Sequence, residues 1–159
     1  MARVVEDIDK GWDNIQRELS KLKDSYVLIG IQEGTVTKEE VKGDRLKKGG
    51  QSMVDIAVAN EFGTKIIPAR PFMSTSYDEN KALINKAIIT EYRKVQDGKL
   101  NGKKALTRVG LLVVRLIQQK INQIKTPPNA PSTIQRKGSS NPLIDFGQMI
   151  NSVREKVVM

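Results

Sequence analysis

The residue types that are missing narrow the possible chemistry first. Among 159 residues there is neither Cys nor His. That removes thiol nucleophiles, disulfides and Cys-bound zinc, together with the commonest general base and metal ligand. Carboxylates remain. Glu39-Glu40 with Asp44 could be imagined holding a metal for assisted hydrolysis, but Lys38, Lys42, Arg45, Lys47 and Lys48 surround the cluster. Mixed charge at that density reads as a solvated loop. The run from Gly43 to Gly49-Gly50-Gln51-Ser52 lacks the Gly-Lys-Ser/Thr order and preceding strand of a phosphate-binding loop. Ser139-Ser140 has no His or positioned Lys to activate it. A hydrolase built on Asp and Glu alone finds no cluster with ligand spacing. No catalytic residue, metal ligand or cofactor is assigned, and the chain is expected not to be an enzyme.

Two segments do hold polar groups in stiff frames. In Asn60-Glu61-Phe62-Gly63-Thr64 a helix ends, with Gly63 supplying the left-handed stop and Phe62 tucking beneath it. A carboxylate at a helix C-terminus is unfavourable unless it is paired. Arg70, fixed in Pro68-Ala69-Arg70-Pro71 ahead of Phe72-Met73, is the expected partner of Glu61, either within the chain or across subunits. The second segment runs from Asn141 to Val153. There Asp145 is expected to accept from backbone amides ahead of it and cap a short helix, with Phe146 beside it.

The elements that carry these segments give an α+β order. Val4, Val5, Ile8, Trp12, Ile15, Leu19 and Leu22 recur at helical spacing, with Glu6, Asp7 and Asp9 in the favoured first turns. Trp12 is expected to pack. Ser25–Ile31 reads as a strand, and residues 33–51 as a long hairpin or loop, mobile in the free protein. Ser52 caps the next helix, whose buried side is Met53, Ile56, Ala57 and Ala59. Residues 65–73 are extended, because each proline biases its predecessor away from helix. A helix follows, capped by Ser74 or Ser76, with Leu83, Ile84, Ala87, Ile88, Tyr92 and Val95 inward and Asp97-Gly98 as its stop. Lys103–Ile124 is the most regular helical pattern. Thr126-Pro127-Pro128-Asn129-Ala130-Pro131 cannot be regular structure, and 132–140 reads as a basic connector. Val153–Met159 is the last strand, pairing near Val27–Ile31. The expectation is one domain over 1–159, a small, mainly antiparallel sheet packed against several helices. It has a flexible loop at 33–51 and a Pro-rich connector at 126–141. A chain of this size buries roughly 70% of its unfolded surface, enough for a core.

Charge is unevenly placed. Residues 1–97 balance 16 Lys/Arg against 16 Asp/Glu, whereas 98–159 hold 11 Lys/Arg against Asp145 and Glu155, the whole formal charge of +9. Lys99, Lys103, Lys104, Arg136 and Lys137 are the candidate contacts to DNA or an acidic partner. Solvated helix positions are the plainer alternative. Phe146 is the only aromatic residue beyond Tyr92, which argues against a base-stacking platform. A nonspecific DNA-binding protein, contacting phosphates alone, is the alternative function. Acidic residues interrupt the apolar ones after Met1-Ala2-Arg3, so no signal peptide or membrane span is expected and the chain should be cytoplasmic at synthesis.

In their order and spacing the two stiff segments resemble the small neck proteins of tailed bacteriophages, the tail-completion and tail-terminator group. The resemblance runs from about Val27 to Val158. It takes in Thr126–Ile134, Arg136-Lys137-Gly138 and the Ser152-Val153 pair. Phe146 stands where members commonly carry Thr. The resemblance implies a structural virion protein that forms a ring, a hexamer, around the DNA channel and closes the head-proximal end of the tail. Its implied partners are further copies of itself, the tail tube protein and head-side connector proteins. Sequence-independent contact with genomic DNA is also implied, and a membrane is not. The implied location is the virion neck, reached through the host cytoplasm during assembly. Glu61, Phe62, Gly63, Arg70, Pro71 and Phe72 are carried over as candidate interface residues, with Asp145 and Phe146 beside them.

Overall fold

The computed structural model describes residues 11–159, so the expectations resting on Val4, Val5, Glu6, Asp7, Ile8 and Asp9 lie outside it. In chain order the elements are α1 (Trp12–Leu22), β1 (Tyr26–Ile31), β2 (Glu40–Lys42), β3 (Arg45–Lys47), α2 (Met53–Phe62) and α3 (Met73–Gln96). They continue with α4 (Gly102–Gln123), α5 (Pro131–Lys137), α6 (Gln148–Ser152) and β4 (Val153–Val158). The fold is α+β, and its strands form two antiparallel pairs rather than one sheet. β1 pairs with β4 from Tyr26↔Val158 to Ile31↔Val153, the long-range pairing expected from two apolar β-branched runs. β2 and β3 make a hairpin inside the 33–51 loop.

Helix α4 is the centre of the molecule. Its inward residues Ala105, Val109, Val113, Ile117 and Ile121 keep the expected period and are buried. Gly110 lets this helix lie against the sheet: a Cβ there would meet Glu155 Cβ at 2.8 Å and a Val27 methyl at 3.0 Å. On its other side α3 runs antiparallel to it, tied by Glu91–Arg108 and Glu79–Lys120 ion pairs near the two ends. Phe72, Met53, Leu143, Met149 and Val153 close the core from the remaining elements. Each such side chain contributes about 1.5–3 kcal/mol by leaving water.

Several expectations need correction. Trp12 is 61% exposed, because α1 docks through Ile15 and Leu22 onto the turn at Gly98 and Gly102, and Trp12 lies short of it. On α3, Ile84 and Val95 are buried but Leu83, Ile88 and Tyr92 are exposed. The buried face is narrower than the apolar one, since only α4 covers it along most of its length. Residues 131–137 form a helix instead of a connector, with Pro131 at its first position and left-handed Gly138 at its end. That is the usual proline-start, glycine-stop arrangement. Ser52 does cap α2, accepting from the Asp55 amide at 3.2 Å.

Candidate functional site

The buried stripe of α2 is Met53, Ala57 and Glu61, spaced four residues apart, so the last inward position is a carboxylate. The chain then reverses at Gly63 (φ +77°), where a Cβ would stand 2.9 Å from the Ala69 amide nitrogen. The Thr64 amide donates to the Ile67 carbonyl, and the Arg70 amide to that of Asn60, which closes a compact loop. This loop brings the start of α3 onto Glu61. Oε2 accepts from the amides of Phe72 (2.8 Å) and Met73 (2.9 Å). Oε1 accepts from the Ser74 amide (2.9 Å) and hydroxyl (2.7 Å). Three of the amides that a helix start leaves unpaired are thus satisfied by one carboxylate from another helix. The positive end of α3 supplies the field that the C-terminus of α2 withholds. The expected Glu61–Arg70 ion pair does not form, and neither Ser74 nor Ser76 caps α3.

Arg70 turns the other way. The residue is 4% exposed, and its guanidinium donates to the carbonyls of Pro127 (2.7 Å) and Pro128 (3.1 Å), and to Asn129 Oδ1 (3.3 Å). A fourth bond reaches Asn60 Oδ1 at 3.5 Å. The pairing has a chemical logic. A proline-rich stretch offers carbonyls with few amides to match them, and guanidinium is a five-donor fork with no acceptor. Burial alone pushes the Arg70 pKa down from its ordinary value. Because Arg70 holds the Asn129 amide oxygen, the Nδ2 group is left over. It is the one buried side-chain polar atom among the described residues without a hydrogen-bond partner.

The second segment meets the same region. Asp145 does not cap α6, whose N-cap is left-handed Gly147 with no side-chain bond. It accepts instead from Arg45 Nη2 at 2.6 Å, with Lys47 Nζ 4.0 Å away, and so ties down the β2–β3 hairpin. Phe146 is half-buried beneath the same two cations, with the Arg45 guanidinium 4.8 Å from the ring centroid. Gln148 adds two bonds to the Lys38 backbone, at 3.1 and 2.7 Å. Lys137 is buried, its Nζ donating to the carbonyls of Asn141 and Pro142. Burial is the main reason its pKa lies below the ordinary lysine value.

The two segments therefore converge on one groove of about 680 Å³, walled by α2, the 64–70 loop, residues 128–133, the end of α5 and residues 142–149. Arg70, Asp145 and Phe146 line it, whereas Glu61 lies under a separate apolar depression with Phe62 at its rim. Phe62 does not tuck under Gly63. It is 76% exposed, one residue past the buried stripe that Glu61 completes. Phe72 is fully buried, so it belongs to the core and not to an accessible interface. Pro71 is exposed.

The five basic candidates do not gather. Lys99 pairs with Asp97 and shares a cleft with Lys104 beside α1; Lys103 is exposed on the first turn of α4. Arg136 is exposed at the groove, and Lys137, held by two carbonyls, is unavailable as a surface contact. Sequence reasoning missed Asn60, Asn129, Arg45 and Gln148. For the first two the signal was present: a buried arginine beside a proline-rich run needs acceptors. Among the described residues no group of three or more acidic side chains could hold a metal ion, and no helix is long and apolar enough to cross a membrane. No family model, curated protein or solved structure matches the chain.

Proposed function

We propose that this protein is a structural component of a tailed-phage neck, a tail-completion or tail-terminator subunit. It forms a ring, hexameric by the resemblance, that closes the head-proximal end of the tail and joins it to the head. The tail tube protein and head-side connector proteins are its partners, and the virion neck is its location. Association, not turnover, is the mechanism.

The observation that carries this reading is the apolar surface at the end of α2. Phe62 and Val58, one turn apart, stand 76% and 49% exposed above a depression of about 390 Å³ with Ile29, Ile31, Val54 and Met73 in its walls. Ile66, at the tip of the adjoining loop, is 90% exposed. Isolated exposed apolar residues are ordinary, but several around a preformed hollow fit a protein–protein contact. The loop is internally bonded and the Glu61 cap fixes it to α3, so the surface is presented rigidly. A rigid patch and a hollow suit heterologous contacts that close around an axis.

Incubation with cognate tail tubes, viewed in negative stain, tests the reading. Added protein caps one end of each tube, and Phe62→Asp protein with unchanged circular dichroism does not. Tube ends that stay bare at saturating wild-type protein overturn it.

A further inference from the structure

The groove between α2 and α5 holds more positive charge than its one lining carboxylate can balance. Four cationic side chains line it, Lys47, Arg70, Arg136 and Lys137, against the single carboxylate of Asp145. Asp145 is shared between Arg45 at 2.6 Å and Lys47 at 4.0 Å, so one carboxylate faces five cations and the excess stays positive. The two buried cations, Arg70 and Lys137, are solvated only by carbonyl and amide oxygens. Hydrogen bonds of that kind hold a cation in place but leave its net charge uncompensated. Both groups titrate below their ordinary values, Arg70 through burial and Lys137 chiefly through burial; the Asp145 carboxylate pushes Lys137 up in part, and Arg70, Lys47 and Arg136 push it down. Asn129 adds a buried amide donor with nothing to receive it. The floor between these groups is apolar, made by Met53, Ile56, Ile67, Leu143 and Met149.

From this juxtaposition we infer that the groove is a docking site for an extended acidic segment of a partner protein, with one or more carboxylates over Lys47 and Arg136 and apolar side chains on the floor. Charge complementarity selects the carboxylate, since the groove offers donors and positive potential where an acidic side chain would lie. The apolar floor and the exposed Ile66 at one rim select a polypeptide over a free anion: a small carboxylate would leave both wet. Nucleic acid fits less well, because the groove presents a mostly aliphatic floor and Phe146 already sits beneath two cations. The groove shares Ile66 with the apolar surface at Phe62 but none of that hollow's lining, and peptide binding reads it whether or not a ring forms.

Fluorescence anisotropy of the full chain tests this, at about 150 mM salt, where surface attraction beyond roughly 8 Å is screened. The probe is a labelled peptide of sequence Gly-Leu-Glu-Ile-Asp-Leu-Glu-Gly, and the control replaces each acid by lysine. The acidic peptide is expected to bind saturably with a Kd below about 100 μM and the basic one not to bind. Arg136→Glu and Lys47→Gln should each weaken binding about tenfold or more, with unchanged circular dichroism. Lys103→Glu, which alters the same net charge outside the groove, should leave it within about twofold. The inference is overturned if the acidic peptide fails to saturate below about 1 mM. Equal weakening by Lys103→Glu, which signals bulk attraction, also overturns it. So does competition by citrate at the affinity of the peptide, which assigns the site to small anions, or displacement by duplex DNA with the same variant dependence, which assigns it to phosphates.

Discussion

Replacing Glu61 by Gln tests the strut that holds α2, the 63–71 loop and α3 together. Each carboxylate oxygen receives two donors. Glutamine keeps one oxygen and turns an NH₂ toward the other pair: toward Phe72 and Met73 it opposes two amide donors, and toward Ser74 it opposes one, because the hydroxyl can rotate to accept. Leaving a buried donor unpaired costs about 1–3 kcal/mol. Water cannot repair the loss easily, because Phe72 is fully buried and Glu61 only 7% exposed. With the NH₂ toward Ser74 one buried donor is left unpaired, so the expected destabilisation is about 2 kcal/mol, which for a chain of this size lowers Tm by roughly 4–8 °C. Urea denaturation followed by far-ultraviolet circular dichroism reads it directly. Glu79→Gln, which removes a carboxylate that is 54% exposed, is the internal comparison and should cost less than about 1 kcal/mol. A Glu61→Gln protein within 1 kcal/mol of wild type would refute the reasoning.

Arg70→Lys should destabilise by about 2–4 kcal/mol, since an ammonium cannot span the acceptors at 127–129; denaturation and faster proteolysis between 125 and 131 check it. Gly110→Val should cost about 1–3 kcal/mol through contact with Glu155 and Val27, measured as a lower urea midpoint at unchanged m-value. The Glu91 carboxyl is held below its ordinary value of 4.5, chiefly by the Lys94 hydrogen bond and further by Arg108. A depressed folded pKa gives stability that is present above the unfolded value and lost as pH falls through the folded one. Stability against urea should therefore decline below about pH 4.5, and Glu91→Gln should flatten part of that decline.

Much of the scaffold was legible because its signals are local and repeated. The period of α4 persists over 22 residues, and β1 and β4 are the two β-branched runs of matching length. The Ser52 cap depends on residues three apart. The charged groups of the site were not legible in the same way. Local electrostatics correctly marked Glu61 as needing a partner, but the candidates nearest in sequence included a charge, Arg70, while the fold supplied amides. Asp145 likewise had a local role open to it, and a guanidinium 100 residues away won. A loop that closes in space changes which donor is nearest, and no periodicity records that. Two features were readable and overlooked. The 53–57–61 stripe already turns Phe62 outward, and Pro131 with Gly138 brackets a helix.

The central claim is that the chain is a ring-forming building block, and solution mass tests it most directly. Light scattering over a concentration series, with negative-stain imaging of any large species, should find a closed ring. Six chains of 17.8 kDa would weigh about 107 kDa, and Phe62→Asp should shift the mass toward that of one chain. A wild-type protein that remains monomeric at every concentration, and stays so when cognate tail tubes are added, would contradict the account.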